Sequence, residues 1–332
     1  MIPIVSHLRE RGAITTFQCI KNHGPDHNRA GAEHLATLST EKQPDNLNLQ
    51  PKKSFHLTGA QLSHVSQALV YKGICELSKA QQRLATTINL DITRHAVQSM
   101  TGSLSTDATI WHSIQNKDIT RIVRVFLWKI LHNTHKCGDY WLNIPTFEHR
   151  ASCHNCQVPD SMNHILTECN APGQKEVWSL AKTLWLKKHD FWPSIVNTGS
   201  IVGCGLGKFK SAKGQHKPGA NRLYRILLSE SAYLIWKIRC ERLLVRSNEE
   251  QWHSPKEIQN RWLHAMNKRL QFDCAMTNRR FEKKALADDV VLQTWSGTLH
   301  NEHSLPDNWI QESGVLAGIG SLEPLRTSFD PP

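Results

Sequence analysis

The stretch CHNCQVPDSMNHILTEC, Cys153 to Cys169, sets three cysteines and one histidine in the spacing Cys-x2-Cys-x7-His-x4-Cys. Two thiols separated by two residues form a tight turn that aims both at one point, and the later histidine and cysteine suit a turn or the first turn of a helix. Four soft or borderline ligands in tetrahedral array select zinc over calcium or magnesium. With Cys153, Cys156, His164 and Cys169 filling every position, one structural zinc ion is expected, with no open place for an activated water. The turn residues Pro159 and Asp160 between the ligand pairs favour this reading over cysteines scattered by accident through a loop. Binding displaces thiol protons and couples to folding, so the metal-free chain is expected to be loose from about Gly138 to Trp178. His132, His135 and Cys137 could form a second ligand set, but no fourth ligand is evident and they read as helix-end residues.

Helical periodicity surrounds the segment. Ile119, Ile122, Val123, Phe126, Leu127, Ile130 and Leu131 fit the buried face of a helix, and Val177, Leu180, Ala181, Leu184 and Trp185 fit another. Further helices are expected over about 222–244, with Leu223, Ile226, Leu227, Leu234, Ile235 and Ile238 inward, and over about 255–272, with Ile258, Trp262, Ala265, Met266 and Leu270 inward. Leu62, Val65, Leu69, Val70, Ile74, Leu77, Leu84 and Ile88 describe one long or two short amphipathic helices, followed by a break in which Thr106 or Asp107 caps the next. Trp128, Trp141, Trp178 and Trp185 bracket the metal segment and are expected to pack its flanking helices in preference to stacking on bases.

Charge indicates the class of partner. The chain has 332 residues and a net charge of +11 at pH 7, which favours a polyanion over an acidic small substrate. Lys117, Arg121 and Arg124 fall at helical spacing with Trp128 one turn on, a stripe that is either a solvated face or a nucleic-acid contact. The stretch GCGLGKFKSAKGQHKPGANRLYR carries Lys208, Lys210, Lys213, Lys217, Arg222 and Arg225 with no acidic residue, and reads as a mobile basic loop. RNA or single-stranded DNA is the expected partner, bound with strong salt dependence.

Nine cysteines are too few for a disulfide scaffold and odd in number, which points to a reducing compartment. The N-terminal residues carry charges where a secretory leader needs an apolar stretch, and the longest apolar run, Ala232 to Trp236, is far short of the ~20 residues of a membrane span. A soluble intracellular protein, nuclear or cytoplasmic and without a membrane partner, is therefore expected. GCGLGKF fails as a phosphate loop, because Val202 stands where the first glycine belongs and Phe209 where Ser or Thr should follow the lysine. Lys208 takes the place of the third glycine of a dinucleotide fingerprint. No G-x-S-x-G, H-E-x-x-H or polymerase palm signature is present.

The segment VRVFLWKILHNTHKCGDYWLNIPTFEHRASCHNCQVPDSMNHILTEC resembles the zinc-binding region that follows the reverse transcriptase and ribonuclease H domains in fungal non-LTR retrotransposon polyproteins. The resemblance extends through APGQKEVWSLAKTLWLKKHDFWP, GANRLYRILLSESAYLIWKIRCE, NRWLHAMNKRL and LQTWSGTLHNEHSLPDNW, covering most of residues 55–315. The family's metal ligands fall on Cys153, Cys156, His164 and Cys169. LRERGAITTFQCIKNHGPDHNRAGAEHLA is similar to the last strand and helix of a ribonuclease H domain, with His23 and Gly24 matching its His-Gly loop and Glu33 where the family has its final metal-binding aspartate.

Two-metal hydrolysis needs several carboxylates around the scissile phosphate. The resemblance places most of them on strands that would precede Met1, so His23 and Glu33 are vestigial and the chain alone is expected to lack ribonuclease H activity. The implied architecture is mainly α: a helical zinc-knuckle module with a short α/β ribonuclease H remnant. It divides into 1–40 (the remnant), 41–58 (a polar linker), 59–100 (a helical connector), 105–192 (zinc-binding), 193–221 (the basic loop), 222–315 (helical) and 316–332 (a disordered tail). The implied function is nucleic-acid binding, with association with a parent polyprotein as a possible partnership. Two alternatives are a ribonuclease H endonuclease within a longer or complemented polyprotein, and a zinc-stabilised interaction module or relic.

Overall fold

A computed structural model of the protein describes residues 27–41, 66–77 and 83–319, apart from 196, 212 and 247. The chain separates into two units, 1–81 and 82–332, so the boundary falls inside the stretch expected to be one connector over 59–100. In the first unit, α1 (His27–Glu41) and α2 (Gln67–Leu77) are described. His23 and the expected last strand of a ribonuclease H remnant lie outside the described residues. Glu33 lies on α1 and is exposed.

The second unit is built from helices and short 310 turns. The helices are α3 (Leu84–Thr101), α4 (Asp107–Ile114), α5 (Arg121–Leu131), α6 (Gln174–Leu186), α7 (Thr198–Val202), α8 (Pro218–Leu244), α9 (Pro255–Ala275) and α10 (Asp288–Trp295). Among the described residues the extended pairings are isolated bridges, such as Ser152 with Pro159 and Leu299 with Ala317. The mainly helical expectation therefore holds.

The local reasons are visible at the helix ends. Gly102 adopts φ 74° and donates its N–H to Gln98, ending α3 in the left-handed conformation that glycine tolerates. The Thr106 side chain accepts from the Thr109 N–H and starts α4, while Ser254 does the same for Glu257 ahead of Pro255 at the start of α9.

One hydrophobic core runs through α3 to α10. The inward faces of α6 and α8 are as the spacing predicts, and Ile258, Trp262, Met266 and Leu270 are buried on α9. The core joins the 105–192 and 222–315 stretches instead of leaving them as separate bodies. Trp185, Trp262, Trp295 and Trp309 are its largest fully buried side chains. On α5 one expected inward residue is misplaced, for Ile122 is 59% exposed while Val123, Phe126, Leu127, Ile130 and Leu131 are buried.

Two further expectations are corrected. The glycine-rich stretch after residue 197 is no mobile loop at its start: α7 and the 310 turn Gly203–Leu206 are packed inside the unit. A Cβ on Gly203 would lie 2.4 Å from Val97 Cγ2, so these glycines permit close packing on α3. The tail does not begin at 316 either. Ala317 and Ile319 are buried, with the Ala317 N–H donating to Asn267 Oδ1 at 2.7 Å. No helix among the described residues is long and apolar enough to cross a membrane.

Candidate metal centre

Cys153, Cys156, His164 and Cys169 converge, with one ligand atom from each lying within 4.8 Å of every other. Cys153 and Cys156 sit on a tight turn. The Gln157 N–H donates to the Cys153 carbonyl, the Cys153 N–H returns to Val158, and Gln157 adopts φ 55° to close the loop. His164 and Cys169 are the first residue of, and the residue after, a π-helical turn, His164–Glu168, in which the Cys169 N–H donates to the His164 carbonyl at 2.8 Å. In an α-helix, residues five apart point about 140° from each other. The wider turn narrows that angle and turns both side chains toward the Cys153 loop.

The set fits a tetrahedral thiolate-rich ion. Cys153 and Cys169 Sγ are 3.8 Å apart, equal to the edge of a tetrahedron with metal–sulfur bonds of about 2.3 Å, which is about 3.8 Å. His164 Nε2 is buried without a hydrogen-bond partner, an arrangement that costs free energy unless something coordinates the nitrogen. Its other ring nitrogen, Nδ1, lies 3.9 Å from Glu168 Oε2, beyond hydrogen-bond length.

The thiols differ in environment. Burial alone would raise Cys156, but the Asn170 N–H at 3.4 Å and the Asn155 amide at 3.6 Å, with the neighbouring thiols, hold it below its ordinary value. Burial pushes Cys169 up to about 12, so the chain without an ion keeps a proton there that coordination must displace. These four residues could hold one metal ion, and protein atoms fill all four positions.

Residues far along the chain fix the loop to the core. Arg239 on α8 donates to the buried Asp160 carboxylate, and Arg242 one turn later donates to the Pro172 carbonyl at 2.9 Å. Trp252 packs against the small cluster of Cys153, Cys169 and Ala171, with the Arg242 guanidinium 5.3 Å from its ring. The Trp178 indole N–H donates to the Leu166 carbonyl, inside the π turn, at 2.8 Å. Sequence reading missed Asp160 as a docking group, together with Arg239, Arg242 and Trp252, because their partners lie tens of residues away.

His132, His135 and Cys137 do not gather as a ligand group. His135 Nε2 donates to the Phe126 carbonyl at 3.1 Å, and burial lowers this imidazole to about 4. Burial raises Cys137 to about 12. Of the bracketing tryptophans, Trp185 is buried and Trp178 half-buried, but Trp128 is 46% exposed and stands against His132.

The basic residues separate into two groups. Lys117, Arg121, Lys208, Lys210, Lys213 and Lys217 are exposed, and among the described residues none of them forms an ion pair. Arg124 is half-buried and donates to the Ile119 carbonyl. Arg222 and Arg225 are corrections to the expected nucleic-acid surface. Arg222 is buried, donating to Asp118 at 2.9 Å and to both Asp273 oxygens at 2.7 and 2.8 Å. Arg225, largely covered, donates to Asp118. A guanidinium whose donors face internal carboxylates has no fork left for a phosphate.

No protein-family model, curated protein or solved structure matches the chain.

Proposed function

We propose that the chain is a retrotransposon-derived nucleic-acid-binding module whose Cys153–Cys156–His164–Cys169 centre holds one zinc ion. Three thiolates and an imidazole at tetrahedral separation suit zinc and leave no site for catalysis at the metal. The ion's role is to order the 151–171 loop against α8, and RNA or single-stranded DNA is the partner.

The observation that carries this reading is the division of the cations. Arginines such as Arg222, Arg225 and Arg239 are engaged with Asp118, Asp273 and Asp160 inside the fold. Lysines such as Lys117, Lys129 and Lys136 are left exposed, so the positive excess lies where a polyanion can reach it. Fluorescence anisotropy of a labelled single-stranded RNA, titrated with zinc-loaded chain at two salt concentrations, tests it with Cys156→Ser as control. Tight binding that weakens steeply with salt and is reduced in the variant is expected. Folded, metal-loaded protein that does not bind would refute it.

A second reading, a zinc-stabilised interaction module, has one observation in its favour. α2 buries none of its residues, and Leu69, Val70, Tyr71, Ile74 and Leu77 are all exposed on it. Failure of RNA binding with retained zinc would favour that alternative.

A further inference from the structure

A cavity of about 440 Å³ opens between α5 and the C-terminal half of α8, and the segment leading into the metal loop forms another wall. Phe126, Trp141, Tyr233 and Trp236 supply aromatic surface, and the basic residues at it are Lys129, Lys136, Arg150 and Arg239. No Asp or Glu lines it. Arg239 is turned to Asp160, and Arg150 lies over Trp141 and Phe147, 5.2 and 4.7 Å from their rings. Lys129 and Lys136 are exposed, and neither is ion-paired to a described residue.

This composition selects among occupants. Aliphatic side chains on the rim, Ile122, Val125, Leu243 and Leu244, would suit a protein helix. A helix would have to bring its own carboxylates to match two unneutralised ammonium groups, and would make no specific use of the aromatic faces. A single nucleic-acid strand uses both features, because bases stack on aromatic faces and phosphates attract lysines. The volume lies within the range of about 300–1,000 Å³ typical of pockets for small ligands. A base paired inside a duplex cannot enter such a pocket without leaving its stack.

We infer that this groove is the site for unpaired nucleotides of a single RNA or DNA strand, with bases against Trp141, Tyr233 and Trp236 and phosphates at Lys129 and Lys136. The inference rests on the nucleic-acid-binding reading above and gives it a location. It moves the contact from the Lys208–Lys217 segment, since Lys208 and Lys210 line a different cavity against α3. It also assigns the metal a purpose, because Arg150 adjoins Ala151, whose carbonyl accepts from the Asp160 N–H of the metal loop at 2.8 Å.

The test uses the full zinc-loaded chain and a short oligouridylate carrying a fluorophore and one 4-thiouridine. Anisotropy is compared for the unmodified chain, Lys129→Glu/Lys136→Glu and Lys210→Glu/Lys213→Glu, and the photocrosslinked peptides are mapped. Loss of two phosphate contacts should weaken binding about tenfold or more and flatten the salt slope by about 1.4, at about 0.7 per contact. Crosslinks should fall in the peptides holding Trp141 or Tyr233 to Trp236, and the Lys210/Lys213 variant should bind within about threefold of the unmodified chain. Crosslinks confined to 208–217, with the groove variant unaffected, would overturn the groove and leave the nucleic-acid reading standing. Absence of salt-sensitive binding by any form would overturn both. Lys129→Gln/Lys136→Gln, checked by circular dichroism and metal content, replaces the charge reversal if that variant fails to fold, and the same loss of affinity is expected.

Discussion

The metal loop and the helical core that carries it are held together by different means. Around the four ligands the buried apolar cluster is Cys153, Cys169 and Ala171, edged by Cys156 and Trp252, while Met162, Ile165 and Leu166 later in the loop belong to the helical core. The helical core has four fully buried tryptophans and a polar centre in which Asp273, 0% exposed, accepts from Arg222 and the Trp295 indole. The 151–160 stretch, with so little apolar area, cannot offset its own ordering entropy, whereas the helices can. Coordination of an ion by the four side chains would supply what that stretch lacks, while packing and internal ion pairs hold the helices without it. The contrast separates two kinds of fragility within one unit.

The largest effect expected from this contrast is on the loop. Chelation, or Cys153→Ser, should remove stoichiometric metal and strip hydrogen-exchange protection from 151–160, while α8 and α9 stay protected. Global loss of protection would erase the distinction. The second effect is the converse. Asp273→Ala leaves the two terminal nitrogens of buried Arg222 without their carboxylate, with Asp118 still paired to its Nε, and should cost about 3 kcal/mol in urea unfolding, with metal content unchanged in the protein that remains folded.

Acid should sharpen the comparison further. His135 is held uncharged in the fold, its value lowered from 6.5 to about 4 by burial. As pH falls through 6.5 the unfolded chain takes a proton that the folded chain refuses. The contribution of His135 to stability should therefore decline between about pH 6.5 and 4, and level off below, by at most about 3 kcal/mol. His135→Asn should flatten that slope in urea midpoints measured against pH.

Glu241 gives the smallest effect. Hydrogen bonds from Arg261, reinforced by His253, hold it at about 2 against an ordinary 4.5. Its stabilising contribution is present above pH 4.5 and is lost as pH falls through about 2. At 36% exposure solvent screens the pair, so Glu241→Gln should cost about 1 kcal/mol or less at neutral pH.

The parts of this architecture legible in the sequence are those that depend on near neighbours. Ligand spacing located the centre, and periodicity located the inward faces of α6, α8 and α9, because both are set within a few turns of chain. Ile122 escaped the pattern because an apolar side chain at helical spacing need not have a partner. Arg222 and Arg225 looked like part of a basic loop because the carboxylates that neutralise them, Asp118 and Asp273, lie 104, 107 and 51 residues away. The buried 198–206 segment read as a loop because glycine marks both flexible turns and close helix contacts, and only the proximity of Val97 to Gly203 distinguishes them. The docking of Trp252 on the metal cluster left no local signal at all.

The central claim is that these four side chains coordinate zinc. Zinc-edge X-ray absorption on the purified chain, with its metal content measured, addresses that directly. One zinc per chain is predicted, with three sulfurs at about 2.3 Å and one nitrogen at about 2.0 Å. A shell dominated by oxygen, or a folded chain without stoichiometric zinc, would contradict it.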